Sequence, residues 1–410
     1  MALPGVRTTI LDRFYTQART DLPGGPLIAV IGKRNNATSA TSPDFIPYLA
    51  TSEQDVITQF GEDSQLHRAY YELSTGGASR CAFIPLPSNT TFNHSNGTIA
   101  SASYATLNIF DEAFSAVEAI RADIVVPWGR GGDSTDWDDY ATPVATPGNN
   151  SSDYFYADNS SNSLNSWAKK VADKCSEITY NSYPIIGVIG VAPLVGPENP
   201  TPTQLNTGVN LTNLVSREVF TTGEYLSIVA TEVHPISAPD SWGWSNGACL
   251  YAALIARLSS WSATSNKPMY NIDKLRYNVT RTQAETLSGK GVVAGMLDFS
   301  RIPKWVDGAT FAKSTSDFVR LTTIRIVYDA VKLVKSVAQN YVGEGMSIQM
   351  QNAFHTQISS SLQSMTKLGA INQSDFRVQY SPAENKAFVD LAIVPAFELR
   401  EVIIQVSVNF

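Results

Sequence analysis

Charge is what this chain has least of: Asp, Glu, Lys and Arg make up only 16% of it, against ~25% in ordinary soluble domains. With Ser, Thr and Asn abundant, the surface is expected to be uncharged polar loop or to be buried in contacts. The formal balance is acidic, at -7, and no basic run occurs, which argues against nucleic acid as a main partner. Cysteine is scarce too. Cys81, Cys175 and Cys249 are odd in number and lack metal-ligand spacing, so they read as reduced, buried thiols and not as a disulfide framework. No apolar run reaches the ~18 residues that span a bilayer, and the first residues do not form a signal peptide. The expectation is a protein made and kept in a cytoplasm, with no direct membrane insertion.

Catalytic signatures are missing as well. Gly129-Arg130-Gly131-Gly132-Asp133 follows an apolar strand pattern, yet no helix pattern starts there and no Gly-Lys-Ser/Thr follows, so it reads as a turn. Asp133, Asp136, Asp138 and Asp139 miss the spacing of a calcium loop and its glycine, and read as a solvated acidic loop. His67, His94, His234 and His355 stand apart from one another, without a zinc-binding pair on one helix face. No Gly-x-Ser-x-Gly elbow occurs, and the Asn-x-Ser/Thr sequons, at Asn36, Asn89, Asn93 and Asn96 among others, have no secretory route to be used. No catalytic residue, cofactor or metal is expected.

What is present is core-forming material. The 410 residues with 43% hydrophobic content suffice for two or three domains. The clearest pattern is the last hundred residues. From Val319 to Tyr341, the residues Val319, Ile326, Val327, Ala330, Val331, Leu333, Val334, Val337 and Tyr341 share one helix face, with Arg325, Lys332 and Lys335 opposite and Arg320 at the border. After Gly343 and Gly345 a second helix carries Phe354, Ile358, Leu362 and Met365 and ends at Leu368-Gly369. The period then becomes two: Phe376, Val378 and Tyr380 alternate, Ser381 to Asn385 is a turn, and Phe388 to Val394 is a second strand ended by Pro395. Finally Val402, Ile404, Val406, Val408 and Phe410 alternate with polar or outward residues up to the last position. That is a half-buried strand, which pairs either with its own sheet or with a sheet in another molecule.

Upstream, residues 1 to about 22 read as an arm, since Pro4-Gly5 prevents an early helix and Leu22-Pro23-Gly24-Gly25 marks a flexible exit. Leu27 to Pro85 reads as strand, polar loop, two short helices and strand. Ser88 to Ser103 is almost all small and polar and reads as a surface loop, as does 129 to 163. Helices at 105 to 122, 164 to 178, 204 to 220 and 245 to 258 alternate with strands at 124 to 127, 184 to 191 and 225 to 233. Runs such as Ile185-Ile186-Gly187-Val188-Ile189 are apolar on both faces, as in a mostly parallel sheet covered by helices on both sides. Gly289-Lys290-Gly291 reads as the passage into the C-terminal domain.

The ordered set of the apolar-basic helix, the glycine break, Leu362 to Ala370, the strand pair and the run Ala392 to Val408 resembles the C-terminal domain of contractile tail sheath proteins. Those proteins form the outer cylinder of myovirus-type phage tails and related injection machines. Pro4-Gly5-Val6 and the strand Gly25 to Gly32, with Phe60-Gly61, Leu66 to Tyr71 and Gly76-Gly77-Ala78, is similar to the family's N-terminal part. The resemblance implies an outer α/β domain over 23 to 288 and a smaller inner α+β domain over 289 to 396. An N-terminal arm, 1 to 22, with Val6, Ile10 and Leu11, and a C-terminal strand arm, 397 to 410, with Val402, Ile404, Val406, Val408 and Phe410, would add strands to neighbouring subunits. It further implies a helical homopolymer of stacked rings around an inner tail tube protein, with baseplate and tail terminator proteins as further partners. Contraction would then drive the tube through a host envelope on stored conformational energy, in a virion tail assembled in host cytoplasm. Arg320, Arg325, Lys332 and Lys335 are expected to face the tube. The alternative reading is an α/β enzyme whose active site lies in the loops 128 to 139 and 234 to 244.

Overall fold

Short apolar runs without a polar alternation must be covered on both faces, and they form the centre of the molecule. The computed structural model describes residues 25–35, 43–88, 90–93, 98–101, 108–128, 167–190, 221–236, 238–239, 242, 244–276, 278–396 and 398. Strands β1 (Ile28–Lys33), β3 (Cys81–Leu86), β6 (Ile124–Pro127), β7 (Ile186–Gly190), β8 (Leu226–Ala230) and β11 (Val292–Leu297) lie parallel in the order β11-β8-β7-β6-β1-β3. Short antiparallel strands, β12 (Pro303–Trp305) and β2 (Tyr48–Leu49), close the two edges of this eight-stranded sheet. The order reverses between β1 and β6. This is the doubly wound arrangement, in which the C-terminal rim at the reversal opens into a crevice.

Helices cover both faces. On one side α2 (Gln65–Gly76) and α5 (Ala248–Arg257) pack together so closely that a Cβ on Gly76 would stand 2.5 Å from the Ala253 Cβ. On the other lie α3 (Ile109–Ile120) and α4 (Trp167–Asn181), while α6 (Arg281–Gly289) leads into β11. Their starts follow local chemistry: Ser52 caps α1 (Glu53–Phe60), Ser64 caps α2, Asn108 caps α3 and Thr280 closes a capping box with Gln283. Cys81, Cys175 and Cys249 are buried, unbridged thiols in this core. Burial raises all three, Cys81 to about 12.

The last part is a second layer: α7 (Leu321–Gln339), α8 (Ile348–Lys367) and the antiparallel hairpin β13 (Ile371–Ser381) and β14 (Lys386–Pro395). Two expectations need correction. The stretch 88 to 103 is not all loop, because β4 (Thr90–Asn93) and β5 (Thr98–Ser101) pair in it, with the Thr90 and Ser101 side chains buried; threonine and asparagine richness hid a hairpin. The passage at 289 is not the domain boundary. Gly291 adopts φ 75 where a Cβ would stand 2.4 Å from the Thr310 carbonyl oxygen, turning α6 into a strand of the large sheet. The chain leaves the large sheet only at α7. A small antiparallel pair, β9 (Val233–Pro235) and β10 (Ile272–Leu275), also had no counterpart in the sequence pattern. The arm 1 to 22, all of the arm 397 to 410 except Glu398, the stretch 129 to 163 and the helix expected at 204 to 220 lie outside the described residues.

Candidate assembly surface

α7 has two apolar stripes, not one. Ile326 and Ala330, with Leu333, Val334, Val337 and Tyr341, join Phe354, Ile358, Leu362 and Met365 of α8 in the core of the smaller layer. Leu321, Ile324 and Tyr328 enter the large core from the other side. The basic residues continue this second stripe, so they meet the large domain and not open solvent. Arg325 is only 7% exposed, and its guanidinium donates to the carbonyls of Ile255 (2.7 Å) and Leu258 (2.6 Å). Those are the orphan acceptors at the negative end of α5, where a cation is favoured. Lys332 pairs with Asp123, and Lys335 donates to the Ser182 carbonyl. Burial lowers the Lys335 ammonium. The expected outward basic face is therefore corrected: Arg325, Lys332 and Lys335 are seam residues. They lie beneath the N-terminal rim of the sheet, around a cleft of about 60 Å³ between Pro26, Asp123, Ile186 and α7.

Arg320 serves the same seam. It places 2.6 Å bonds on both oxygens of the buried Asp307 carboxylate, which also accepts from the Ser288 hydroxyl and from the Gly308 N–H at 2.8 Å. A buried carboxylate is stable only with such a set of donors. The Ser265 hydroxyl lies between Asp307 (3.1 Å) and Glu398 (2.8 Å). It ties the point where the chain leaves β14 to the large domain.

The smaller layer ends in a surface suited to strand pairing. α8 begins at Ser347, whose hydroxyl accepts from the Met350 N–H, and ends at Gly369 with φ 74. Its buried residues are Phe354, Ile358, Leu362 and Met365, worth about 1.5 to 3 kcal/mol each in burial. They hold one face of the hairpin through Phe376, Val378, Tyr380, Val389 and Leu391. The hairpin is long, 11 and 10 residues, and among the described residues neither strand has a second neighbour. Among the described residues, both outer ladders of N–H and C=O groups lack a strand partner, the arrangement that strand addition uses. The expected pairing residues Val402, Ile404, Val406, Val408 and Phe410, and Val6, Ile10 and Leu11 of the first arm, lie outside the described residues. Glu398, four residues before Val402, is the last described position.

The crevice at the opposite, C-terminal rim was the alternative site. Its described side chains are engaged with one another. The Trp242 indole donates to Asp63 (2.5 Å), stands edge-on to His67 (5.3 Å) and Tyr71 (5.5 Å), and lies under the Arg68 guanidinium. His67 also faces Glu53 at 3.1 Å, and His234 packs edge-on against Trp244. Trp128 donates to Glu72 at 3.2 Å. Glu72 is fully enclosed, and burial pushes its carboxyl up to about 8. Among the described residues no three His, Cys, Asp or Glu side chains gather as a metal site requires. Asp133 to Asp139 lie outside the described residues, and so does His94.

No protein-family model matches the chain, and no curated protein matches it in sequence. Solved structures match over its whole length. A chain of the anti-feeding prophage (AFP) baseplate is 12% identical with a TM-score of 0.63, covering 100% of both chains. The AFP helical sheath in its contracted state is 14% identical with a TM-score of 0.62, covering 99% of both. A sheath tail protein from Listeria innocua is 10% identical with a TM-score of 0.57, covering 92% of this chain and 93% of that one. The chain thus has the α/β architecture of sheath proteins from contractile injection systems.

Proposed function

We propose that this protein is the repeating subunit of a contractile sheath, a structural protein of a phage tail or related injection system and not an enzyme. The observation that carries the reading is the full-length match of a composite architecture. A doubly wound sheet is a common scaffold and says little about function. A sheet domain joined at its N-terminal rim to a helix pair and a long hairpin is a far narrower description, and the AFP baseplate and helical sheath chains are similar to it over 99 to 100% of both lengths. The alternative of an enzyme at the C-terminal rim has no comparable support.

In this reading the hairpin of one subunit accepts the C-terminal strand arm of a neighbour, residues 397 to 410, and the N-terminal arm of another. One strand is close to thermodynamic balance: ordering nine residues costs about 9 to 18 kcal/mol, similar to what five buried apolar side chains return. Two arms per subunit in a closed lattice make each further contact intramolecular, which makes assembly cooperative. The strand ladder also lets the rigid body of each subunit turn while the lattice stays connected, as contraction around an inner tube demands. The tube, baseplate and terminator proteins are the partners this implies, with assembly in the host cytoplasm and residence in the tail. Negative-stain microscopy of the purified protein, alone and with its tube protein, tests the reading. Hollow helical tubes or stacked rings are expected; discrete particles under every condition would overturn it.

A further inference from the structure

Two exposed apolar segments stand at opposite edges of the large sheet. At one edge the β11–β12 turn carries Phe299, 99% exposed, followed by Arg301 and Ile302. This turn is rigid. The Asp298 carboxylate accepts from the Ser300 N–H (2.8 Å), the Ile302 N–H (2.9 Å) and Lys304 (2.9 Å), and Arg301 is held at φ 59. At the other edge Ile46 (54%) and Leu49 (60%) point outward on either side of Tyr48, which turns inward against Phe60. Phe45, just before them, sits at φ 61, an outlier for a bulky residue. The Tyr48 hydroxyl and Thr51 fasten the segment to Asp55 at the start of α1.

Displaying a phenylalanine in water on a strained, fastened turn stabilises nothing within one subunit. Sparsely populated backbone conformations cluster at binding contacts, and a preorganised aromatic anchor loses little entropy on docking. The two loops also match in charge. Arg301 is exposed and makes no ion pair among the described residues, whereas Glu53, four residues after Leu49, is half-exposed with one oxygen 3.1 Å from His67. Phe299 follows the C-terminal end of β11, and Phe45 bonds to Pro85 near the C-terminal end of β3, from where β2 runs down the sheet edge to Leu49 opposite Ala82. Seven strand intervals of about 4.8 Å separate the edges by roughly 34 Å, so the loops cannot meet within one subunit.

We propose that Phe299 of one copy docks against Ile46 and Leu49 of a second copy, with Arg301 beside Glu53, as a head-to-tail contact between large domains. Different surfaces meeting in this way generate rings or helices rather than closed pairs. Phe299 lies at the rim opposite the C-terminal hairpin, and Ile46 and Leu49 lie on the β2 edge, so this is a second bond between subunits, independent of strand exchange. It rests on the sheath reading for the existence of neighbouring copies.

The test uses the full chain carrying Ser300→Cys in one preparation and Gln54→Cys in another; both positions are exposed, and the three native cysteines are buried. After mixing under assembly conditions, a short thiol-reactive crosslinker is expected to give dimers only in the mixture, and a ladder in the double variant. Adding Phe299→Ala is expected to raise the concentration needed for crosslinking at least about tenfold, as removal of an interface anchor does. Assembled particles in micrographs without the mixed crosslink, crosslinks equally strong in Ser300→Cys alone, or indifference to Phe299→Ala would overturn this contact and leave the sheath reading standing. Protein that forms no assembly at all would sink both.

Discussion

Glu72 is the point at which a single substitution tests the core directly. Its carboxyl is enclosed between α2, Trp128 and Ser245, and one oxygen accepts from the Trp128 indole. Desolvation is the largest cause that raises it from 4.5 to about 8, outweighing Trp128, Ser245 and Arg68, which pull it down. The unfolded chain releases this proton above pH 4.5, whereas the folded chain keeps it until about pH 8. The folded state therefore binds more protons across this window, and stability falls as pH rises through it. The loss is absent below pH 4.5 and levels off above about 8. At pH 7 the gap of about 2.5 units, at about 1.4 kcal/mol each, amounts to about 3 kcal/mol. Glu72→Gln retains an oxygen for the Trp128 indole and has no proton to lose. In denaturant titrations followed by tryptophan fluorescence at equal protein concentration, the variant is expected to be about 2 to 3 kcal/mol more stable than the parent at pH 7, and equal to it near pH 4.5. A difference that stays constant with pH, or a variant less stable at pH 7, would refute the reasoning.

Arg325→Ala removes the guanidinium from the two carbonyls at the end of α5 and is expected to cost about 2 to 4 kcal/mol in denaturant unfolding; a loss below about 0.5 kcal/mol would return Arg325 to the open surface. Reversing Lys332 to Glu places it against Asp123 and is expected to lower thermal stability before any tube is added, which distinguishes a seam residue from a tube contact. Gly223→Ala drives a Cβ to 1.9 Å from the Phe311 carbonyl oxygen, so expression as a folded protein is expected to fall, with about 2 to 4 kcal/mol lost. Truncation after Glu398 leaves the Ser265 tie intact; the product is expected to be a folded monomer by light scattering, unable to form tubes, and normal polymerisation would place the terminal strand elsewhere.

Where one face or both faces of an element had to be buried, the sequence was a sufficient guide. The continuous apolar runs around Ile28, Phe83, Val125, Val188 and Ile228 became the parallel sheet. Phe354, Ile358, Leu362 and Met365, with Gly369 behind them, determined α8 and its end, because spacing and a positive φ are local demands. The hairpin turn at Ser381 to Asn385 was equally local. Tertiary structure alone decided the rest. A basic helix stripe looks the same in sequence whether it meets water or the carbonyl end of another helix, and only packing placed Arg325 against Ile255 and Leu258, about 70 residues away. Gly289 to Gly291 looked like a boundary because a turn between a helix and its own sheet uses the same residues as a turn between domains. The strand made of Thr90 and its neighbours was invisible because polar strands lack the apolar alternation that marks an amphipathic one. Long-range partners, unlike caps and turns, are not written in the residues next to them.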